Sequence, residues 1–223
     1  MNNEKIVKPI NGWIGILAAV LCLTVAIWGL VNGYVVATAL IGLALFILVG
    51  SVIVAPKDAC VLIFFGRYKG TIKENGFYWV NPLTNRRTVS QKPHHFTSSP
   101  IKANDMAGTP IAIGLVLVWN VEDTYKAAFE VDDYQHFVMF QSDAALLKLA
   151  DSFPYDNVEV KDTKFTLIAG GDVVNKHLEE ELRLRLQPGG INIVEARINY
   201  LTYGTKGSSA KRKKKNGGKR DRS

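Results

Sequence analysis

A chain of 223 residues, 48% apolar and 21% charged, is long enough for one ordinary domain with a segment to spare. Its net charge of +7 resembles a nucleic-acid signal, yet nine of the 27 basic residues follow Thr205, with Asp221 as the one acid among them. What precedes that tail has no basic excess, which argues against a nucleic-acid-binding body.

Residues 1–10 form a short N-terminus carrying Lys5 and Lys8, and from there to Lys57 the chain contains no Asp, Glu, Lys or Arg. Within that gap residues 13–31 and 35–55 are almost wholly apolar. At the helical rise they reach about 28 and 31 Å, matching a hydrocarbon core of about 30 Å. Asn32, Gly33 and Tyr34 supply a tight turn and Pro56 marks the exit, so residues 11–55 read as a transmembrane hairpin. Trp13 and Tyr34 fall where interfacial anchors belong. A cleaved signal peptide competes with this reading, and Ala37-Thr38-Ala39 offers it a cleavage pattern. The first stretch exceeds a usual signal core and a second follows within three residues, which favours the hairpin.

Lys5 and Lys8 before the spans, with Lys57, Arg67 and Lys69 after them, place both ends in the cytoplasm. No ionisable residue lies inside either span, so a pore or proton relay has nothing to work with. Gly42 and Gly50 give the second helix small residues for close packing. Cys22 lies within the first span and Cys60 beyond the second, which argues against a disulfide between them.

After Pro56 the pattern changes to strands. Residues 59–65 form a β-branched and aromatic run closed by Gly66, and residues 77–80 follow Gly70, Asn75 and Gly76. Residues 96–104 and 111–121 flank a long turn over 105–110. The second of these strands is apolar on both faces and reads as central and doubly buried. Asp123 caps a short helix to Phe129, and Asp132 or Asp133 opens a longer one to Ser152, which Pro154 stops. A helix over residues 165–186 follows, with Glu179–Arg183 and Glu181–Arg185 as i,i+4 pairs. Residues 191–201 alternate as a closing strand. Strands, then helices, then a strand make the fold class α+β.

No chemistry stands out. His94 and His95 are neighbours after Pro93 and read as a surface turn, since adjacent strand residues point apart and no Cys or His cluster accompanies them. His136 and His177 are lone helical histidines. Gly170, Gly171 and Asp172 lack the preceding strand of a phosphate loop and read as a local bend. Neither G-x-S-x-G nor H-E-x-x-H occurs, so no catalytic, cofactor or metal residues are assigned and the chain reads as a non-enzyme.

Residues 55–71 (Ala-Pro-Lys-Asp-Ala-Cys-Val-Leu-Ile-Phe-Phe-Gly-Arg-Tyr-Lys-Gly-Thr) and Gly76-Phe77-Tyr78-Trp79-Val80-Asn81-Pro82 resemble the opening of an SPFH domain of the band 7, stomatin and prohibitin superfamily, in its bacterial stomatin-like branch. Residues 105–111 and Val118-Trp119-Asn120-Val121 resemble its central hairpin. Val131-Asp132-Asp133-Tyr134, Gln141-Ser142-Asp143-Ala144-Ala145-Leu146, Phe153-Pro154-Tyr155-Asp156 and Glu195-Ala196-Arg197-Ile198 resemble its second half. The resemblance implies an SPFH-type domain over residues 56–203 in the bacterial inner membrane, facing the cytoplasm. It also implies homo-oligomers that organise membrane lipid and protein, in some branches around a membrane protease or channel.

Family members continue with Leu-Ala-Tyr-Ala-Pro-Glu-Ile-Ala and a long Ala, Glu and Gln-rich helix that drives assembly. Here Leu201-Thr202-Tyr203 runs into a basic tail over 204–223 that reads as disordered. Gly204-Thr205-Lys206-Gly207-Ser208, back-translated with AGY for serine and read one base later, permits Ala, Pro, Lys, Val and Ala. An out-of-frame C-terminus therefore stands beside a native tail, and either weakens the expected assembly. Two functions besides the scaffold remain open. One is a membrane-anchored binding module in which Lys211, Arg212, Lys213, Lys214 and Lys215 engage anionic lipid or nucleic acid; the other is a membrane enzyme.

Overall fold

The computed structural model describes residues 4–156 and 165–204, so Lys211 to Lys215 and most of the expected tail lie outside the described residues. In chain order, β1 (Ile10–Asn11) leads into α1 (Gly12–Val31) and α2 (Ala37–Val49). Five strands follow: β2 (Ser51–Val54), β3 (Asp58–Phe64), β4 (Arg67–Ile72), β5 (Gly76–Trp79) and β6 (Thr84–Ser90). Then come β7 (His94–Thr97), β8 (Ile101–Asn104), β9 (Pro110–Val121), α3 (Thr124–Phe129), α4 (Tyr134–Ser152) and α5 (Gly171–Leu186). A 3-10 turn at Gln187–Gly189 precedes β10 (Ile191–Tyr203). The fold is α+β with antiparallel sheets, as the sequence indicates.

Two compact units divide the chain. The first takes in the residues up to Pro93, Asn120–Tyr134 and Pro188–Ile191. It holds two three-stranded sheets, ordered β4-β3-β6 and β1-β5-β2. Ala59, Cys60, Val61 and Leu62 of β3 are buried in succession, so both faces of the strand are covered, and Cys60, Leu62 and Ile72 close a core with Val54 and Val80. Asp123 caps α3 by accepting from the Tyr125 and Lys126 amides, as its place in the sequence indicates. Arg87 of β6 donates to the carbonyls of Ala128 (2.6 Å) and Asp132 (3.2 Å), which ties the end of α3 to the sheet.

The second apolar stretch departs from the expected span over residues 35–55. Its helix covers only Ala37–Val49, and Ser51–Val54 pairs as a strand with β5. The change of state falls at Gly50, where consecutive β-branched residues begin and where β5 offers an open ladder.

The second unit takes in His94–Trp119, Gln135–Gln187 and the chain from Asn192 onward. Its sheet runs β10-β9-β7, with β8 pairing the earlier part of β9 on the side that β7 uses. Ile111, Ile113, Leu115, Leu117 and Trp119 of β9 are buried. Val116 and Val118 are only half-buried, a correction to the doubly buried strand, because their cross-strand partners are the exposed Thr97 and His95. His94 and His95 thus belong to a strand and not to a surface turn.

Helix α5 starts at Gly171 and not near Phe165. Gly170 and Gly171 lower helix propensity, and the preceding turn closes on itself through Gly170 N–H to the Thr166 carbonyl at 2.7 Å. Of the two expected pairs, Glu181–Arg185 forms at 2.6 Å. Glu179 instead accepts from the Ala196 amide of β10. Lys148 of α4 also reaches Glu181, at 2.6 Å, and joins the two long helices.

Candidate membrane-anchoring site

The site is built on α1 and α2. Both are apolar on every side, with Leu17, Leu21, Trp28, Leu43 and Phe46 exposed to the surroundings. A soluble surface helix shows one apolar stripe; uniform exposure of this kind calls for an apolar solvent. α1 is long and apolar enough to cross a membrane. α2, with 13 residues, rises about 20 Å, short of a hydrocarbon core of about 30 Å.

The helices pack through small residues. Ala19, Ala26 and Ala44 are fully buried, and a Cβ on Gly29 would lie 2.9 Å from that of Ala37. At the connecting turn, Asn32 donates its amide to the Trp28 carbonyl at 2.8 Å and Tyr34 N–H reaches the Gly29 carbonyl at 2.9 Å. These bonds consume carbonyls that a helix end leaves open.

The root of the hairpin is held by Trp79 of β5. A Cβ on Gly15 would stand 2.4 Å from Trp79 Cδ1, and one on Gly50 would stand 2.5 Å from Trp79 Nε1. Only glycine lets both helices straddle one indole this closely. Trp79 Nε1 donates to the Ile47 carbonyl at 2.8 Å, while Arg86 of β6 donates to the carbonyls of Val49 (2.8 Å) and Ser51 (3.0 Å). A cation thus caps the C-terminal end of α2, where the helix dipole favours one.

The chain before the hairpin is fastened to the same unit. Residues around Ile6 bridge β4 in parallel, through Val7 N–H to the Thr71 carbonyl (3.0 Å) and Thr71 N–H to the Lys5 carbonyl (2.8 Å). Glu4 then reaches Lys73 Nζ at 2.6 Å and accepts from the backbone amide and hydroxyl of Thr124 at the start of α3. Its side chain is 14% exposed. Farther along, Lys8 pairs with Glu74 at 2.7 Å in open solvent, and that hydrogen bond raises the ammonium pKa.

Both expected anchors are exposed, at opposite ends of α1. Trp13 stands at the root with its ring edge-on to Phe77, centroids 5.6 Å apart, and Tyr34 stands in the turn. Sequence reasoning missed Phe77, Trp79, Arg86 and Glu4. Their signal is spatial, since β5 and β6 lie more than 25 residues from the helix ends they hold.

Among the described residues, no group of three or more His, Cys, Asp or Glu side chains is placed to hold a metal ion. The SPFH domain / Band 7 family matches residues 52–216, well over half of the chain. The chain belongs to this family. The SPFH match begins within β2, the strand by which the hairpin returns to its root, and runs past the end of β10. SPFH proteins are membrane-associated scaffolds and generally non-enzymatic. No curated protein matches the chain.

Proposed function

We propose that this SPFH protein is a membrane-anchored scaffold whose hairpin enters the bilayer from the cytoplasmic face and returns to it. The observation that carries this reading is the double fastening of the hairpin root. Glu4 and Val7 precede α1 and are bound to β4 and α3, while Gly50 and Arg86 hold the end of α2 against the same unit. A chain pinned to one folded unit on both sides of an apolar hairpin keeps its two ends on one side of the membrane. That conclusion holds whether the tip at Asn32 to Tyr34 reaches the far headgroups or stops short of them.

The flanking cations Lys5, Lys8, Lys57, Arg67 and Lys69 support the cytoplasmic side. The scaffold role is the organisation of lipid and membrane proteins through homo-oligomers of the SPFH domain, with a protease or channel as client. Mild detergent extraction followed by size measurement tests this part. Particles of many subunits are expected; a monodisperse monomer that also stays monomeric in native nanodiscs would overturn the scaffold reading.

A further inference from the structure

The two outer edges of the second unit's sheet are treated differently. On β10, the amides of Ala196 and Ile198 are taken by side chains of α5, Glu179 Oε1 at 3.3 Å and Asn175 Oδ1 at 3.2 Å. Covering an edge in this way stops it from pairing with another chain. The edge formed by β7 has no such cover. Ser98 N–H points to Leu115 at 2.9 Å, so in the same register Phe96 and His94 also face β9, whereas the backbone groups of His95 and Thr97 point outward. Among the described residues these outward groups meet no partner, and both side chains are exposed.

Beside this open edge lies a cavity of about 190 Å³ between the strand and α4. Its walls include His94, Phe96 and Trp119 from the sheet and Gln135, Val138 and Met139 from the helix. The volume is below that of sites for drug-sized ligands, roughly 300–1,000 Å³, and suits one inserted side chain. The His94 ring stacks on Trp119 with centroids 4.7 Å apart and planes 22° from parallel. Its Nε2 is buried and has no hydrogen-bond partner. Such an atom costs stability unless something binds it. At the rim of the cavity Met139 is half exposed, and the next residue, Phe140, is 69% exposed.

We propose that the groove between β7 and α4 takes an extended segment of a client protein, which pairs as an added strand with His95 and Thr97. One of its side chains, an aromatic ring with a polar tip as in tyrosine, fills the cavity and hydrogen-bonds His94 Nε2. Unpaired backbone groups beside a pocket for a single side chain are the two requirements of strand addition. Pro93 and Pro100 bracket the strand and limit the pairing to a short stretch. The proposal deepens the scaffold reading by giving the client a chemistry, and it can fail while particle size and topology still hold.

The test is fluorescence anisotropy of full-length protein in detergent with a fluorescein-labelled, capped Thr-Val-Tyr-Val-Thr peptide. Saturable binding is expected, weakened about tenfold by alanine in place of the tyrosine and about fivefold by phenylalanine. In His94→Phe the preference for tyrosine over phenylalanine should vanish. Thr97→Pro removes only an outward N–H and should weaken binding about tenfold. Met139→Arg, a change at an exposed residue, should block the cavity without disturbing the fold. Absence of saturable binding at millimolar peptide overturns the proposal, as does wild-type affinity in both Thr97→Pro and Met139→Arg. Dissociation of the protein's own oligomers by these two substitutions would place a second copy in the groove and overturn it equally.

Discussion

Glu4 Oε2 and Lys73 Nζ lie 2.6 Å apart although they stand 69 positions apart in the chain, on either side of the whole apolar hairpin. Both side chains are largely withdrawn from solvent, and Lys73 also donates to the Glu122 carbonyl at 3.2 Å. This contact closes the root of the hairpin from its N-terminal side. Glu4→Ala should lower stability by about 2 kcal/mol, since it strips a partly buried ammonium of its partner and frees two groups of Thr124. Lys73→Ala should cost a similar amount, and the double variant should cost less than the two together. Thermal unfolding in one detergent, read for all four proteins, checks this; strict additivity would show that the pair is not coupled.

The contacts of Trp79 give a second expectation. Gly15→Val and Gly50→Val each drive a side chain into the indole, and each should destabilise the hairpin root by about 2 kcal/mol or more. Gly42 has no atom within 4 Å of where its Cβ would stand. Gly42→Val should therefore leave stability within about 0.5 kcal/mol of the parent, as substitutions away from packed features do. Indole fluorescence during unfolding reports the difference, and equal effects at Gly42 and Gly15 would remove the packing argument.

Arg86 reaches the two carbonyls through the two terminal nitrogens of one planar guanidinium, a fixed spacing that the single nitrogen of an ammonium lacks. Arg86→Lys should recover little of the loss in Arg86→Ala, about 1–3 kcal/mol. Faster amide exchange confined to the end of α2 is the accompanying sign. Full rescue by lysine would reduce the contact to simple charge.

Much of the SPFH domain was legible in the sequence because its elements are punctuated locally. Asp123 and Pro154 mark helix boundaries within one or two residues of where they fall. Residues 35–55 were not legible, because an unbroken apolar run satisfies both a helix and a buried strand. What divides it at Gly50 is β5, a strand more than 20 residues away. The anchoring contacts were hidden for the same reason: Glu4, Trp79 and Arg86 look ordinary in their own neighbourhoods. The stack of His94 on Trp119 likewise depends on the register of β7 with β9. Trp13 and Tyr34 were singled out because interfacial aromatics at the ends of an apolar run are a local signal, and both side chains are exposed.

Acid should loosen the contact between α4 and α5. Hydrogen bonding from Lys148, and then from Arg185, holds the Glu181 carboxyl below its ordinary value of 4.5. A depressed carboxylate pKa adds stability that is present above that ordinary value and is lost as pH falls through the lower folded one. Because Lys148 is more than half exposed, the contribution is modest, about 1 kcal/mol. Glu181→Gln should lower stability at pH 7, and its gap to the parent should narrow as pH falls below 4.5. An unfolding series from pH 7 to 3 that shows a constant gap between the two proteins would refute the assignment.

The double fastening of the hairpin is tested most directly by its topology. A reporter enzyme that is active only outside the cytoplasm is fused before Glu4 in one strain and after Gly204 in another. With Glu4 and Val7 bound to the unit that also holds the end of α2, both fusions should be silent, and a reporter that works only in the cytoplasm should be active at both positions. Opposite signals at the two ends would contradict the account, because an N-terminal arm on the far side of the membrane could not reach Lys73 or β4.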